Sequence, residues 1–171
     1  MHGRWIIVIA LPLAFASIHA DAAEPKVAVF DFEFVDTSLE GAANGPRADE
    51  QARLAWSGEE LRRRLANSGQ IDVVDIAPVA ARARASNLQA CGGCDADLAR
   101  ELGARFAVTG WVQKVSNLIL NMNVSVRDAE TGQVISGKSV DMRGNTRESW
   151  SRALGWLVGD YLLAPGHGVF R

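Results

Sequence analysis

Cys91 and Cys94 are the only cysteines in the chain, and only Gly92 and Gly93 separate them. A pair at this spacing could exchange thiols, meet a metal or a partner, or close a small structural ring. In an exported chain the oxidised ring is the default. Chain entropy gives so short a ring about 2 kcal/mol, too little to be the main support of a domain this size. A redox use stays open because Cys94 stands next to an expected helix start, which favours thiolate. Against it, the strand, CxxC and long helix of a thioredoxin-like motif are missing, and Asp95 stands where a haem attachment site has histidine.

A second group is acidic. Asp31 and Glu33 lie two apart in one extended stretch, and Asp36 and Thr37 follow at its end. Carboxylates so placed could bind a cation or work as an acid and base pair. They could equally pair with arginines such as Arg47 or Arg53, because charges are rarely buried alone. No calcium-loop spacing accompanies them. Arg62, Arg63 and Arg64 read as solvated charges in the last turn of a helix, where the dipole favours them. Trp56 and Trp156 fall off the apolar stripes of their helices and together could mark a partner surface. The residues expected to contact a ligand or partner are therefore Asp31, Glu33, Asp36, Thr37, Arg47 and Trp56.

Elimination removes much else. The histidines are His2, His19 and His167, and the first two lie in a leader-like segment. A triad or a multi-histidine metal site inside the domain is thus excluded. The stretch from Glu40 to Arg47 occupies the place of a phosphate loop but has neither GxGxxG nor a GKS/GKT ending. No catalytic residue, metal ligand or cofactor is expected.

The elements that must position these residues follow from periodicity. KVAVFDFEFV, Lys26 to Val35, reads as one strand with Ala28, Phe30, Phe32 and Phe34 on its oily face. Asp36 to Arg47 reads as a surface loop. A helix is expected from Ala48 to Ser68, with Leu54, Leu61 and Leu65 on one stripe and Gly69 beyond its end. Ile71 to Ile76 is a short strand, Pro78 to Leu88 a helix, and Asp95 caps another helix to Leu102. Phe106 to Val115 is a strand. In LILNMNVSVR, Leu118, Leu120, Met122, Val124 and Val126 form a buried face, and Gln133 to Met142 returns antiparallel after a turn. Asn145 and Glu148 have capping-box spacing before a last helix striped with Trp150, Leu154, Leu157, Val158 and Tyr161. The order β-α-β-α-β-β-β-α predicts a single α/β (mixed α+β) domain, one mixed sheet with helices packed on it.

Arg4, the apolar run Trp5 to Ile18 and the small residues Ala20-Asp21-Ala22 read as a signal peptide over residues 1–22. The run is shorter than the roughly 20 residues of a bilayer span. A single domain over 23–164 and a flexible tail over 165–171 are expected. After processing no transmembrane span is expected. With a net charge of -2, the footprint of a nucleic-acid binder is missing.

The runs KVAVFDF, LRRRLANSGQIDVVD, LARELGARFAVTGWV and VSVRDAETGQVI resemble the α/β domain at the N-terminus of TolB and in CsgG-like envelope proteins. The runs DFEFVDTSLEG, GPRADEQARL, NLQACGGCDADLA and KVSNLILNMNV are similar to a family of small predicted periplasmic bacterial proteins of unknown function. The resemblance implies fold and compartment and brings no enzymatic site. The propeller of TolB and the membrane hairpins and lipid anchor of CsgG have no counterpart. The expectation is a non-enzymatic periplasmic binding or accessory protein that contacts an envelope protein or an exported enzyme system. Alternatives are a thiol-disulfide protein using Cys91 and Cys94, and a small-ligand or metal carrier using the loop after the first strand. The sequence sets no oligomeric state.

Overall fold

The computed structural model describes residues 23–170. The expected signal peptide, residues 1–22, and Arg171 lie outside them. The strands are β1 Lys26–Val29, β2 Glu33–Asp36, β3 Asp72–Val73, β4 Phe106–Lys114, β5 Ile119–Asp128 and β6 Val134–Arg143. The helices are α1 Leu39–Asn44, α2 Ala48–Ala66, α3 Ala80–Ala85, α4 Cys94–Glu101 and α5 Arg147–Trp156, which runs on as a π-helical turn, Leu157–Leu162. They form one mixed sheet in the order β3-β1-β4-β5-β6, with β2 also paired to β4. β1, β2, β3 and β4 are parallel, and β4, β5 and β6 are antiparallel. The fold is the expected mixed α/β sheet with helices packed on it.

The first strand differs from expectation in an instructive way. Val29 pairs with Val108 and Glu33 with Trp111, so four steps on one side face three on the other. An extra residue of this kind bends the strand and shifts its side-chain phase. Ala28 and Phe30 therefore enter the core under α3 and α4, whereas Phe32 and Phe34 join the larger core under α2 and α5. The four apolar residues do not share one face. Gly110 lies opposite the break, and a Cβ there would stand 2.5 Å from the Phe32 ring.

Other elements shift more modestly. The expected loop from Asp36 to Arg47 contains α1, and the strand expected from Ile71 to Ile76 shrinks to Asp72–Val73. Asp95 does not cap α4; it is buried and pairs with Arg127 at 3.0 Å. Thr146, not Asn145, caps α5 by accepting from Ser149 N. Leu120 to Val126 alternate into the core as expected, but Leu118 falls before β5 and is 73% exposed. The last residues fold back: Val169 N donates to Leu162 O and the Phe170 ring lies 5.7 Å from that of Phe106.

Candidate functional site

The polar centre of the molecule lies where β2 and β4 end. On β4, Val108 and Val112 point into the larger core, and the same alternation carries Lys114 inward. Its side chain has no exposure. On α2, Glu50 precedes Leu54, Leu61 and Leu65 at helical spacing and is 1% exposed. Lys114 Nζ donates to Glu50 Oε1 at 2.7 Å and to Glu40 Oε2 at 2.9 Å, with Asp36 Oδ2 at 3.4 Å. One ammonium thus ties together β2, α1, α2 and β4. Asn145 extends the cluster by donating to Glu50 Oε1 at 2.6 Å, while its own Oδ1 accepts from Trp150 Nε1 at 3.1 Å.

α1 is fixed at the same place. Asp36 Oδ1 accepts from Ser38 N at 2.8 Å and from Ser38 Oγ at 2.6 Å, and Ser38 Oγ accepts from Gly41 N. Asp36 approaches Gly41 so closely that a side chain there would meet its carboxylate. Thr37 donates twice, from N and Oγ1, to Lys114 O. Arg47 joins from outside, 3.1 Å from Glu40 and 2.9 Å from Asp49. A cavity of about 340 Å³ opens beside this helix, lined by Phe34, Asp36, Thr37, Ala42, Pro46 and Gln51.

The electrostatics define what this cluster can do. Burial pushes the Lys114 ammonium down, but its bonds to Glu50 and Glu40 outweigh that and raise it to about 12. Burial likewise pushes the Asp36 carboxyl up, and the hydrogen bonds from Ser38 with the Lys114 charge bring it below its ordinary value. Glu40 is lowered by its bonds from Lys114 and Asn117. The raised ammonium suits Lys114 to hold the carboxylates around it together.

Of the residues expected from the sequence, Asp36, Thr37 and Arg47 meet at this cluster, whereas Asp31, Glu33 and Trp56 lie apart from it. Asp31 sits in the strand break, where Arg62 donates to Val29 O and to Asp31 Oδ1, both at 3.0 Å, and Arg84 stands 3.4 Å from Oδ2. Arg62 therefore fills the carbonyl that the break leaves open, which corrects its reading as a solvated charge. Glu33 accepts from Leu88 N at 2.6 Å and holds the loop before the cysteines. The two carboxylates thus have different partners, and the arginines that meet Asp31 are Arg62 and Arg84, not Arg47 or Arg53. Cys91 and Cys94 form a disulfide, with Cys91 exposed and Gly92 and Gly93 both at positive φ. Trp56 lies under the Arg147 guanidinium at 4.4 Å. Among the described residues no group of three or more His, Cys, Asp or Glu is placed to hold a metal ion.

Apolar side chains gather at the same end of the sheet. Leu39, the first residue of α1, is 90% exposed, and Ile119 beside Leu118 is 60% exposed. Leu118 and Ile119 line a groove of about 630 Å³ floored by the buried Leu120 and Met142, with Asp141 and Arg143 also along it. Lys114, Glu50, Leu39 and Leu118 lie outside the residues that the sequence points to as a site. A lysine in phase with Val108 and Val112, and a glutamate on the stripe of α2, were the available signals.

The model of the family described as "Protein of unknown function (DUF2380)" matches residues 25–162. The chain belongs to this family. No curated protein matches it. Among solved structures, the LpoB C-terminal domain from Salmonella enterica is similar at 18% identity and a TM-score of 0.49, covering 72% of this chain and 87% of that one. A PelC dodecamer from Paraburkholderia phytofirmans is similar at 14% identity and 0.47, covering 79% and 86%. TolB from Acinetobacter baumannii is similar at 14% identity and 0.39, covering 79% of this chain and 28% of that one.

Proposed function

We propose that this chain is a non-enzymatic binding or accessory protein of the periplasm, exported through a cleaved signal peptide over residues 1–22, that acts by contact with an envelope protein or an exported enzyme system. The observation that carries the reading is the exposed aliphatic end of the sheet: Leu118 and Ile119 stand in solvent along an apolar groove, and Leu39 stands in solvent on α1. Exposed patches rimmed by charge mark contact surfaces. The buried clamp supports the same reading, because it fixes the helix that carries Leu39. Among the described residues no helix is long and apolar enough to cross a membrane.

A photo-reactive residue at position 118 of the chain, expressed in its own host, tests this. A protein adduct in the periplasmic fraction is the expected result, and its absence there overturns the reading. Intact mass of the exported chain tests cleavage after Ala22. A thiol-disulfide role is the second reading, favoured by the exposure of Cys91. A reduction potential below about -300 mV would remove it.

A further inference from the structure

We infer that the uncovered face of the sheet binds a neutral glycan, with the Trp111 indole as the platform on which one sugar ring stacks. The inference goes beyond the contact reading, which rests on other residues. Helices α3 and α4 cover this face only over β1 and the start of β4, where Ala28, Phe30 and Ala107 enter the smaller core. Past Ala107 the same alternation brings Thr109, Trp111 and Gln113 to this face. Trp111 is half-buried and packs into neither core.

The pairing of the strands builds a polar surface beside the indole. Trp111 pairs with Asn123, which pairs with Ser139, and Gln113 pairs with Asn121. Directly opposed residues share a face at about 5 Å. Asn123 Nδ2 donates to Asn121 Oδ1 at 2.7 Å, which orients both amides. Asn121 Nδ2 is left to donate and Asn123 Oδ1 to accept. The next row, Thr109, Ser125 and Gly137, is a shallow trough of small side chains. Packing within the chain does not call for glycine at 137, because a Cβ there would meet only Val124 O at an ordinary 3.8 Å. Glycine weakens a strand interior and suits a place where a ligand approaches the backbone closely.

The chemistry of the face selects the ligand. Charges at its flank are already engaged: Glu33 accepts from Leu88 N and Gln89 N, and Arg127 pairs with Asp95. Its centre is therefore indole, amide and hydroxyl without charge. A pyranose is the complement, with C–H bonds on its face for the indole and hydroxyls that both donate and accept for the amides. A single-stranded nucleic acid would also stack, but its phosphates need cations that this centre lacks, and Asp141 stands opposite Asn121. An apolar protein surface would bury the amides without partners.

NMR titration of the isotope-labelled chain, expressed with its own leader and purified, tests the site. The probes are chitotetraose and cellotetraose, neutral chains of N-acetylglucosamine and of glucose. With either sugar, the indole signal of Trp111 and the side-chain amides of Asn121 and Asn123 should move while the indole signals of Trp56, Trp150 and Trp156 stay. Trp111→Ala should weaken binding about tenfold, the worth of one stacked aromatic contact. Gly137→Val should also weaken binding, with a thermal midpoint equal to or above that of the wild type, because valine suits a strand better than glycine. No movement at Trp111 with millimolar amounts of either sugar, or binding unchanged in both variants, overturns the inference. An equal response to oligothymidylate overturns it too, because stacking alone would then account for the signal. None of these results alters the adduct expected from position 118, so the two readings fail separately.

Discussion

Two carboxylate clusters lie at neighbouring strand ends and hold the molecule in different ways. After β1, Asp31 is 37% exposed in its side chain and meets Arg62 and Arg84, which remain in reach of water. After β2 and β4, Glu50 and Lys114 are closed off from it, with Glu40 and Asp36 completing the shell. Water screens the first cluster, so its main service is geometric: Arg62 satisfies the carbonyl of Val29 at the strand break. In the second, Lys114 and Glu50 have no solvent to fall back on. Burying an ion is costly unless it is paired and hydrogen-bonded, so each partner in it depends on the others.

That contrast can be broken most severely at Lys114. Lys114→Met should cost about 3–5 kcal/mol in urea unfolding, because it leaves a buried carboxylate without its cation. Adding Glu50→Leu should recover part of the loss; a double variant worse than the single one would show that the charge is not the cause. Arg62→Ala should cost less, about 1.5–3 kcal/mol for a charged hydrogen bond lost. A cost at Arg62 as large as that at Lys114 would erase the distinction between the clusters. Reducing Cys91–Cys94 should cost about 2 kcal/mol if the ring acts through chain entropy. The smallest effect belongs to Leu39→Ala, within about 0.5 kcal/mol, as at an ordinary surface site.

The pH profile sharpens the same comparison. Asp36 and Glu40 lie below their ordinary values of 3.8 and 4.5, so their stabilisation is complete above those values and is lost as pH falls through the lower folded ones. Lys114 is raised, so its contribution is complete below 10.5 and is lost as pH rises through about 12. Unfolding midpoints should therefore be level between roughly pH 5 and pH 10 and fall on both sides. Lys114→Met should flatten the alkaline fall, and an unchanged profile would remove the clamp.

The amino-acid sequence by itself determined most of the element order and much of the core, but not the split of the first strand or α1. Alternation in Leu120 to Val126 and the helical stripe Trp150, Leu154, Leu157 survive in the fold because each is set by neighbours in the chain. The cysteine pairing was legible for the same reason, since three residues bring the sulfurs within reach. The phase change after Val29 was not, because a bulge is defined by the partner strand and not by the strand that bends. Nor was the clamp: Lys114, Glu50, Glu40 and Asp36 are separated by up to 78 residues, and only the parallel pairing of β2 with β4 under α2 brings them around one ammonium. Local periodicity chose the elements; which charges would be buried together, and which leucine would be left outside, was decided by tertiary packing.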